Sequence, residues 1–232
     1  MTGPIAAASP RPQARITGVV YLLYFVTAVA GVLFLRGLVV HGDPAATAHN
    51  LLAHESRFRL GFAFDLVSNA CYVALTAFLY ELLAPVNRGL SRLAAFFSLM
   101  GCAIQTFGSV FELAPLIVLK GGSPTDPSQR LALMLFDLHA QAVSVALVFF
   151  AVYCLLLGYL VVRSAFLPRA LGVLLMAAGC GWLTFLWPPL ALSLSPFVQA
   201  LGGLAELALM LWLLVRGVNV QRWREQAGAA AG

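Results

Sequence analysis

Residues 16–35 read ITGVVYLLYFVTAVAGVLFL, an uncharged stretch between Arg15 and Arg36. At about 1.5 Å of rise per residue, such a run makes a helix roughly 30 Å long, the thickness of a bilayer's hydrocarbon core. It is too long for the apolar segment of a signal peptide and lacks a convincing small-residue cleavage site, so it is expected to stay in the membrane. Five further apolar runs follow, at about 59–84, 91–119, 134–163, 167–190 and 196–216, each long enough to cross. They are continuous rather than alternating, which excludes a β-barrel, and helices satisfy their own backbone hydrogen bonds in lipid. The expected fold class is therefore all-α, a polytopic bundle of six transmembrane helices. Residues 1–15 are expected as a disordered cytoplasmic tail, 16–217 as the transmembrane domain and 218–232 as a second cytoplasmic tail.

Composition agrees. Of the 232 residues, 61% are hydrophobic and only 10% charged, far fewer charges than the quarter usual in soluble domains. The net charge of +5 does not point to nucleic acid, because the basic residues sit singly at the ends of the apolar runs, as topology charges do. With the N-terminus inside, nine of the fourteen (Arg11, Arg15, Arg88, Arg92, Arg163, Arg169, Arg216, Arg222 and Arg224) fall on the cytoplasmic side. Arg36, Arg57, Arg59, Lys120 and Arg130 fall on the other. That bias places both termini in the cytoplasm of a multi-pass inner-membrane protein. The four cysteines lie inside apolar runs with no CxxC pair and read as packing residues. Asp43 followed by Pro44 is an N-cap and first-turn signal for a short surface helix within 41–58, and KGGSPTDPSQR at 120–130 reads as a loop.

The second–third and fourth–fifth spans resemble one hairpin written twice. Phe64-Asp65-Leu66 matches Phe136-Asp137-Leu138, Asn69 matches Gln141, and Val73-Ala74-Leu75 matches Val145-Ala146-Leu147. A parallel repeat about an axis along the membrane normal is the expectation.

Ionisable groups in hydrocarbon are costly and mark function by default. Counted from the expected span ends, Asp137 lies roughly 5 Å below the outer boundary, Asp65 and Glu112 roughly 9 Å, and Glu206 roughly 15 Å. Asp65, Asn69, Tyr72 and Thr76 form one stripe at helical spacing; Asp137, Gln141 and Ser144 form its counterpart. Gln105-x-x-Gly108-x-x-x-Glu112 is echoed by Gln199-x-x-Gly202-x-x-x-Glu206, with a glycine one turn before each carboxyl. Asp65, Glu112, Asp137 and Glu206 are expected to share one cavity open to the outer side, floored by Asn69, Gln105 and Gln141 and balanced by a proton, a cation or Arg59. His139 lies about 200° around the helix from Asp137 and is expected off that stripe.

Several runs carry a family likeness. Phe58-Arg59-Leu60-Gly61 leads to Asp65, Leu82-Leu83-Ala84-Pro85-Val86-Asn87-Arg88 closes the second span, and Leu135-Phe136-Asp137-Leu138-His139 opens the fourth. With Leu157-Gly158-Tyr159-Leu160 and Leu167-Pro168-Arg169-Ala170-Leu171-Gly172-Val173-Leu174-Leu175, they resemble the bacterial membrane family called domain of unknown function 4386. The resemblance extends from about residue 15 to 217 and implies a small bacterial inner-membrane protein, with Arg59, Asp65, Asp137 and His139 at positions of the family pattern. It implies no catalytic assignment.

The expected function is binding or transport of a cation, proton or small solute at the carboxyl cavity. The expected partners are the lipid bilayer, that cation or solute and a second copy of the chain, with no nucleic acid. One alternative is a metal-dependent intramembrane enzyme using Asp65, Asp137, His139, Glu112 and Glu206, a set suited to a harder ion than zinc. Another is a structural or regulatory subunit in which the polar groups bind helices together. No G-x-S-x-G or HExxH motif favours hydrolysis, and the sequence names no cofactor.

Overall fold

The computed structural model describes residues 10–121 and 126–229. These form eight α-helices: α1 (Pro10–Leu35), α2 (Pro44–Ala53), α3 (Glu55–Leu83), α4 (Arg88–Lys120), α5 (Asp126–Arg163), α6 (Arg169–Trp182), α7 (Pro188–Val215) and α8 (Val220–Ala229). A 3-10 turn at Leu183–Leu186 extends α6. No strand occurs among the described residues, and six of the helices are long and apolar enough to cross a membrane. The chain is a multi-pass helical membrane protein.

Several helices outrun the apolar runs that predict them, while the fifth span, expected at 167–190, ends with the 3-10 turn at Leu186. α1 begins at Pro10, so residues 10–15 are its first turns rather than tail; residues 1–9 lie outside the described part. A proline is tolerated in a first turn, where its missing N–H has no helical partner to lose. Residues 220–229 of the expected second tail form α8. α5 starts at Asp126, eight residues ahead of its apolar stretch, and so takes in part of the expected loop at 120–130. Residues 122–125 of that loop are outside the described part. The surface helix α2 starts where its cap signal placed it: Asp43 Oδ1 accepts the Ala46 N–H at 2.9 Å and Pro44 opens the helix. Gly37, after α1, and Gly217, after α7, have φ of 79° and 67°, the left-handed conformation in which a helix end closes without Cβ strain.

The chain forms two compact units. The first holds residues 10–22 of α1, 72–83 of α3, 88–101 of α4, 147–163 of α5, and all of α6, α7 and α8. Its helices approach through glycine. A Cβ on Gly158 would lie 2.6 Å from the Gly172 carbonyl oxygen, and one on Gly172 2.5 Å from that of Gly158, so α5 and α6 touch backbone to backbone. Gly18 meets the α7 backbone at Leu213 and Leu214 in the same way. Leu75, Leu160, Leu175, Leu209 and Leu213 are buried here, and α8 docks through Trp223, whose Nε1 donates to the Leu82 carbonyl at 3.0 Å.

The second unit holds residues 23–35 of α1, α2, 55–71 of α3, 102–120 of α4 and 126–146 of α5. Its core gathers Leu38, Leu51, Phe58, Leu116, Leu119 and Ala132, with Phe136 edge-on to Phe58. Arg57 donates to the Arg36 and Leu33 carbonyls at 2.7 and 3.2 Å, closing the C-terminus of α1 with a positive charge where orphan carbonyls favour one. Glu55 binds Arg59 at 2.8 Å and Lys120 at 2.9 Å, joining α3 to the end of α4.

Candidate functional site

Three ionisable side chains on three helices converge within the second unit. On α3, Phe58, Gly61, Ser68 and Asn69 are buried, and half-buried Asp65 lies on the same side. On α4, Gly108, Ser109, Glu112 and Leu116 make the buried stripe. On α5 the corresponding residues are Ala132, Phe136, His139, Ala142 and Ala146, spaced four, three, three and four apart, as one helical face requires.

Glu112 is 3% exposed, and its Oε2 has no hydrogen-bond partner among the described residues. Its carboxyl and that of Asp65 lie within electrostatic reach of each other, and Asp65 is also within reach of His139. His139 is fixed by a 3.1 Å hydrogen bond between Nδ1 and the Gly108 carbonyl oxygen. Below Asp65 on the same helix, Asn69 donates to the Cys102 carbonyl at 3.2 Å and to Thr106 Oγ1 at 2.5 Å, so its amide holds α3 to α4. A buried carboxylate without a hydrogen-bonding counter-group is strongly disfavoured, and a proton removes that cost.

The remaining candidates lie elsewhere. Arg59 is exposed and paired with Glu55, so it is not the counter-charge to the buried carboxyls. Gln105 is half-buried on α4 and accepts the Ser109 hydroxyl at its backbone carbonyl, 3.1 Å away. Asp137 and Gln141 are exposed on the face of α5 turned away from Glu112 and Asp65, against the expectation of an inward stripe. Two matched positions of the hairpin repeat differ in burial: Asn69 is buried and Gln141 is exposed.

Glu206 belongs to the first unit, on α7, where Tyr72 donates its hydroxyl to Oε1 at 3.1 Å. The Tyr72 ring is edge-on to Phe150 and Tyr153, at 5.2 and 6.2 Å between centroids. Gly202, one turn before Glu206, receives the Trp182 indole rather than a neighbouring backbone. This carboxyl is held by a hydroxyl and a packed aromatic wall. Tyr72→Phe is expected to lower stability by about 1–3 kcal/mol, the cost of stranding a buried acceptor. Glu206→Leu in the same background should recover part of the loss, as read by detergent unfolding of the single and double variants.

The carboxyl pair also depends on residues that carry no charge. A Cβ on Gly31 of α1 would lie 2.5 Å from Asp65 Oδ1, so that glycine is the cradle in which the Asp65 carboxyl rests. A Cβ on Gly108 would lie 2.8 Å from that of Ala142, and this closeness brings its carbonyl to His139. Pro115 lies inside α4 and has no N–H, which leaves the Phe111 carbonyl, next to Glu112, without its helical donor. Gly31 in the α1 run and a proline three residues after a buried glutamate are visible in the sequence. Their meaning depends on which helices meet.

The fold defines a polytopic helical membrane protein. Residues 16–217 match the family described as Domain of unknown function (DUF4386), and the chain belongs to it. No curated protein and no solved structure matches the chain. Among the described residues, no group of three His, Cys, Asp or Glu side chains is placed to hold a metal ion, so the ligand set of the metal-enzyme alternative is not assembled.

Proposed function

We propose that this protein binds a proton at the Asp65–Glu112 pair as part of a transport or solute-binding activity. The observation that carries the reading is the Glu112 carboxyl, 3% exposed, with Oε2 free of any hydrogen-bond partner among the described residues and Asp65 within electrostatic reach. A carboxyl that served to hold helices together would place its oxygens on donors. Asn69, one turn from Asp65, does such work, and Oε2 of Glu112 does not. Intramembrane acids arranged in this way serve proton relays and ion pathways.

The proposed setting is the inner membrane of a bacterium, with both termini cytoplasmic and the carboxyl pair nearer the outer face. The support is the nine-to-five distribution of basic residues. Reporter fusions after Lys120 and at the C-terminus are expected to give opposite signals; equal signals would overturn this topology.

Proteoliposomes loaded with a pH-sensitive dye test the function itself. Under an imposed pH gradient, with a series of small cations, amines and neutral solutes outside, the wild-type protein is expected to move protons with at least one of them. A response indistinguishable from that of empty vesicles across the series would contradict the transport form of the proposal and favour a structural role.

A further inference from the structure

In the first unit, the short turn that joins α5 at Arg163 to α6 at Arg169 is clasped by α8. Gln226 accepts the Ala165 N–H at Oε1, 3.0 Å away, and donates from Nε2 to the Arg163 carbonyl at 3.4 Å. Arg222 Nη1 donates to the Ala165 carbonyl at 3.3 Å, and the Asn219 N–H donates to that of Phe166 at 3.4 Å. Trp223 fastens the same helix to the end of α3 through the Leu82 carbonyl. These bonds fix which way α8 faces: Val220, Trp223 and Gln226, spaced by three, turn inward, and Arg222 and Arg224 stay exposed.

Three arginines are thereby gathered at one turn. Arg163 and Arg169 bracket it and are exposed, and the Arg222 guanidinium lies against its backbone with most of its N–H groups left over. No carboxylate answers them. From residue 138 onward the chain carries five arginines and two acids. Of those acids, Glu206 is held by Tyr72, and Glu225 accepts from Gln221 at 3.0 Å. The ion pairs among the described residues all lie in the second unit. α5 and α6 are both membrane spans, and no charged residue occurs between Asp137 and Arg163 or between Arg169 and Glu206. The turn therefore ends two uncharged runs, where a membrane protein meets lipid headgroups.

We propose that this turn is a binding site for an anionic phospholipid, whose headgroup phosphate is held by Arg163, Arg169 and Arg222. A guanidinium presents a planar fork of N–H donors that can engage two phosphate oxygens at once, as a lysine ammonium cannot. An anionic headgroup supplies the negative charge that the protein does not. In a zwitterionic lipid the choline would bring a second cation to the arginines. α8 completes the site, because its bonds to the 163–166 backbone are what carry Arg222 to the turn. A lipid bound there touches α5, α6 and α8 together, so it favours the folded form and raises its stability.

Native mass spectrometry of the full-length protein in detergent, titrated with phosphatidylglycerol, phosphatidylcholine or glycerol 3-phosphate, tests the site, with thermal midpoints taken alongside. The wild type is expected to retain phosphatidylglycerol and gain stability from it, and to do neither with the other two. Phosphatidylglycerol bound no more tightly than phosphatidylcholine would overturn the proposal, and glycerol 3-phosphate bound as tightly as the lipid would overturn the choice of occupant. Arg163→Gln/Arg169→Gln leaves the bonds between α8 and the turn in place, since these use backbone atoms of the turn. It is expected to weaken phosphatidylglycerol binding roughly 30-fold, at about fivefold for each arginine lost. Arg15→Gln/Arg92→Gln removes the same charge from the same unit and is expected to change binding far less. Equal weakening by the two pairs would show a diffuse attraction and overturn the site. Adding Arg222→Gln to the first pair should bring the loss to on the order of 100-fold. No further loss would overturn the part given to α8.

Discussion

Proteoliposomes carrying Glu112→Gln are expected to show no proton response above that of empty vesicles, while the purified variant unfolds within about 1 kcal/mol of the wild type. Loss of function without loss of fold follows from the local chemistry. The amide matches the carboxyl in shape, so the buried space between α3 and α4 stays filled. Its N–H2 group or oxygen replaces an oxygen that has no hydrogen-bond partner among the described residues, so the exchange breaks no hydrogen bond at that atom. What it removes is the capacity to bind a proton. Asp65→Asn is expected to behave alike, with its amide lying on Gly31 as the carboxyl does. A structural role predicts the reverse pattern, in which the variants unfold readily and any folded fraction keeps its activity.

The second large effect is one of stability, in the other unit. Gly158→Val is expected to destabilise the protein by about 3 kcal/mol or more, at the upper end of what overpacking costs. The neighbouring atoms are what make it severe. A Cβ there meets the Gly172 carbonyl oxygen at 2.6 Å and the Met176 backbone nitrogen at 2.9 Å, and backbone cannot rotate aside as a side chain would. α6 must then move off α5. Contrast Gly203, where a Cβ meets nothing within 4 Å. Gly203→Ala is expected to leave the midpoint unchanged or slightly raised, since it lowers the entropy of the unfolded chain. Midpoints of thermal unfolding in detergent for the two variants provide the comparison. Similar midpoints for Gly158→Val and the wild type would show that the α5–α6 backbone contact contributes little.

The six spans and the short α2 were legible because their signals are local: uncharged length for the spans, and an Asp-Pro cap for α2. Helix ends were less so. Polar turns such as 126–133 of α5 continue a helix beyond its apolar stretch, and hydropathy has nothing to register there. At the site, Asp65, Asn69 and Glu112 were identified from stripes that turned out to face inward. α5 is where the reading chose the wrong face, because it followed the polar residues Asp137, Gln141 and Ser144. The inward face is marked instead by small residues, Ala132, Ala142 and Ala146, with His139 among them. On α5, polarity marks the surface and smallness marks the contact. Glu206 shows another limit. Its approach to Tyr72, 134 positions away in the chain, is a tertiary fact with no local signature.

The account's central claim is that Asp65 and Glu112 form one proton-binding pair. Infrared difference spectra of the full-length protein in lipid vesicles, taken between about pH 5 and about pH 9, test it most directly, since only a change in carboxyl protonation moves the carbonyl stretch of a protonated acid. The account predicts a pH-dependent band in the wild type that shifts or disappears in both Asp65→Asn and Glu112→Gln, each single change altering the whole signal because the two groups hold the proton together. A wild-type spectrum without such a band, or a band that each variant leaves intact, would contradict it.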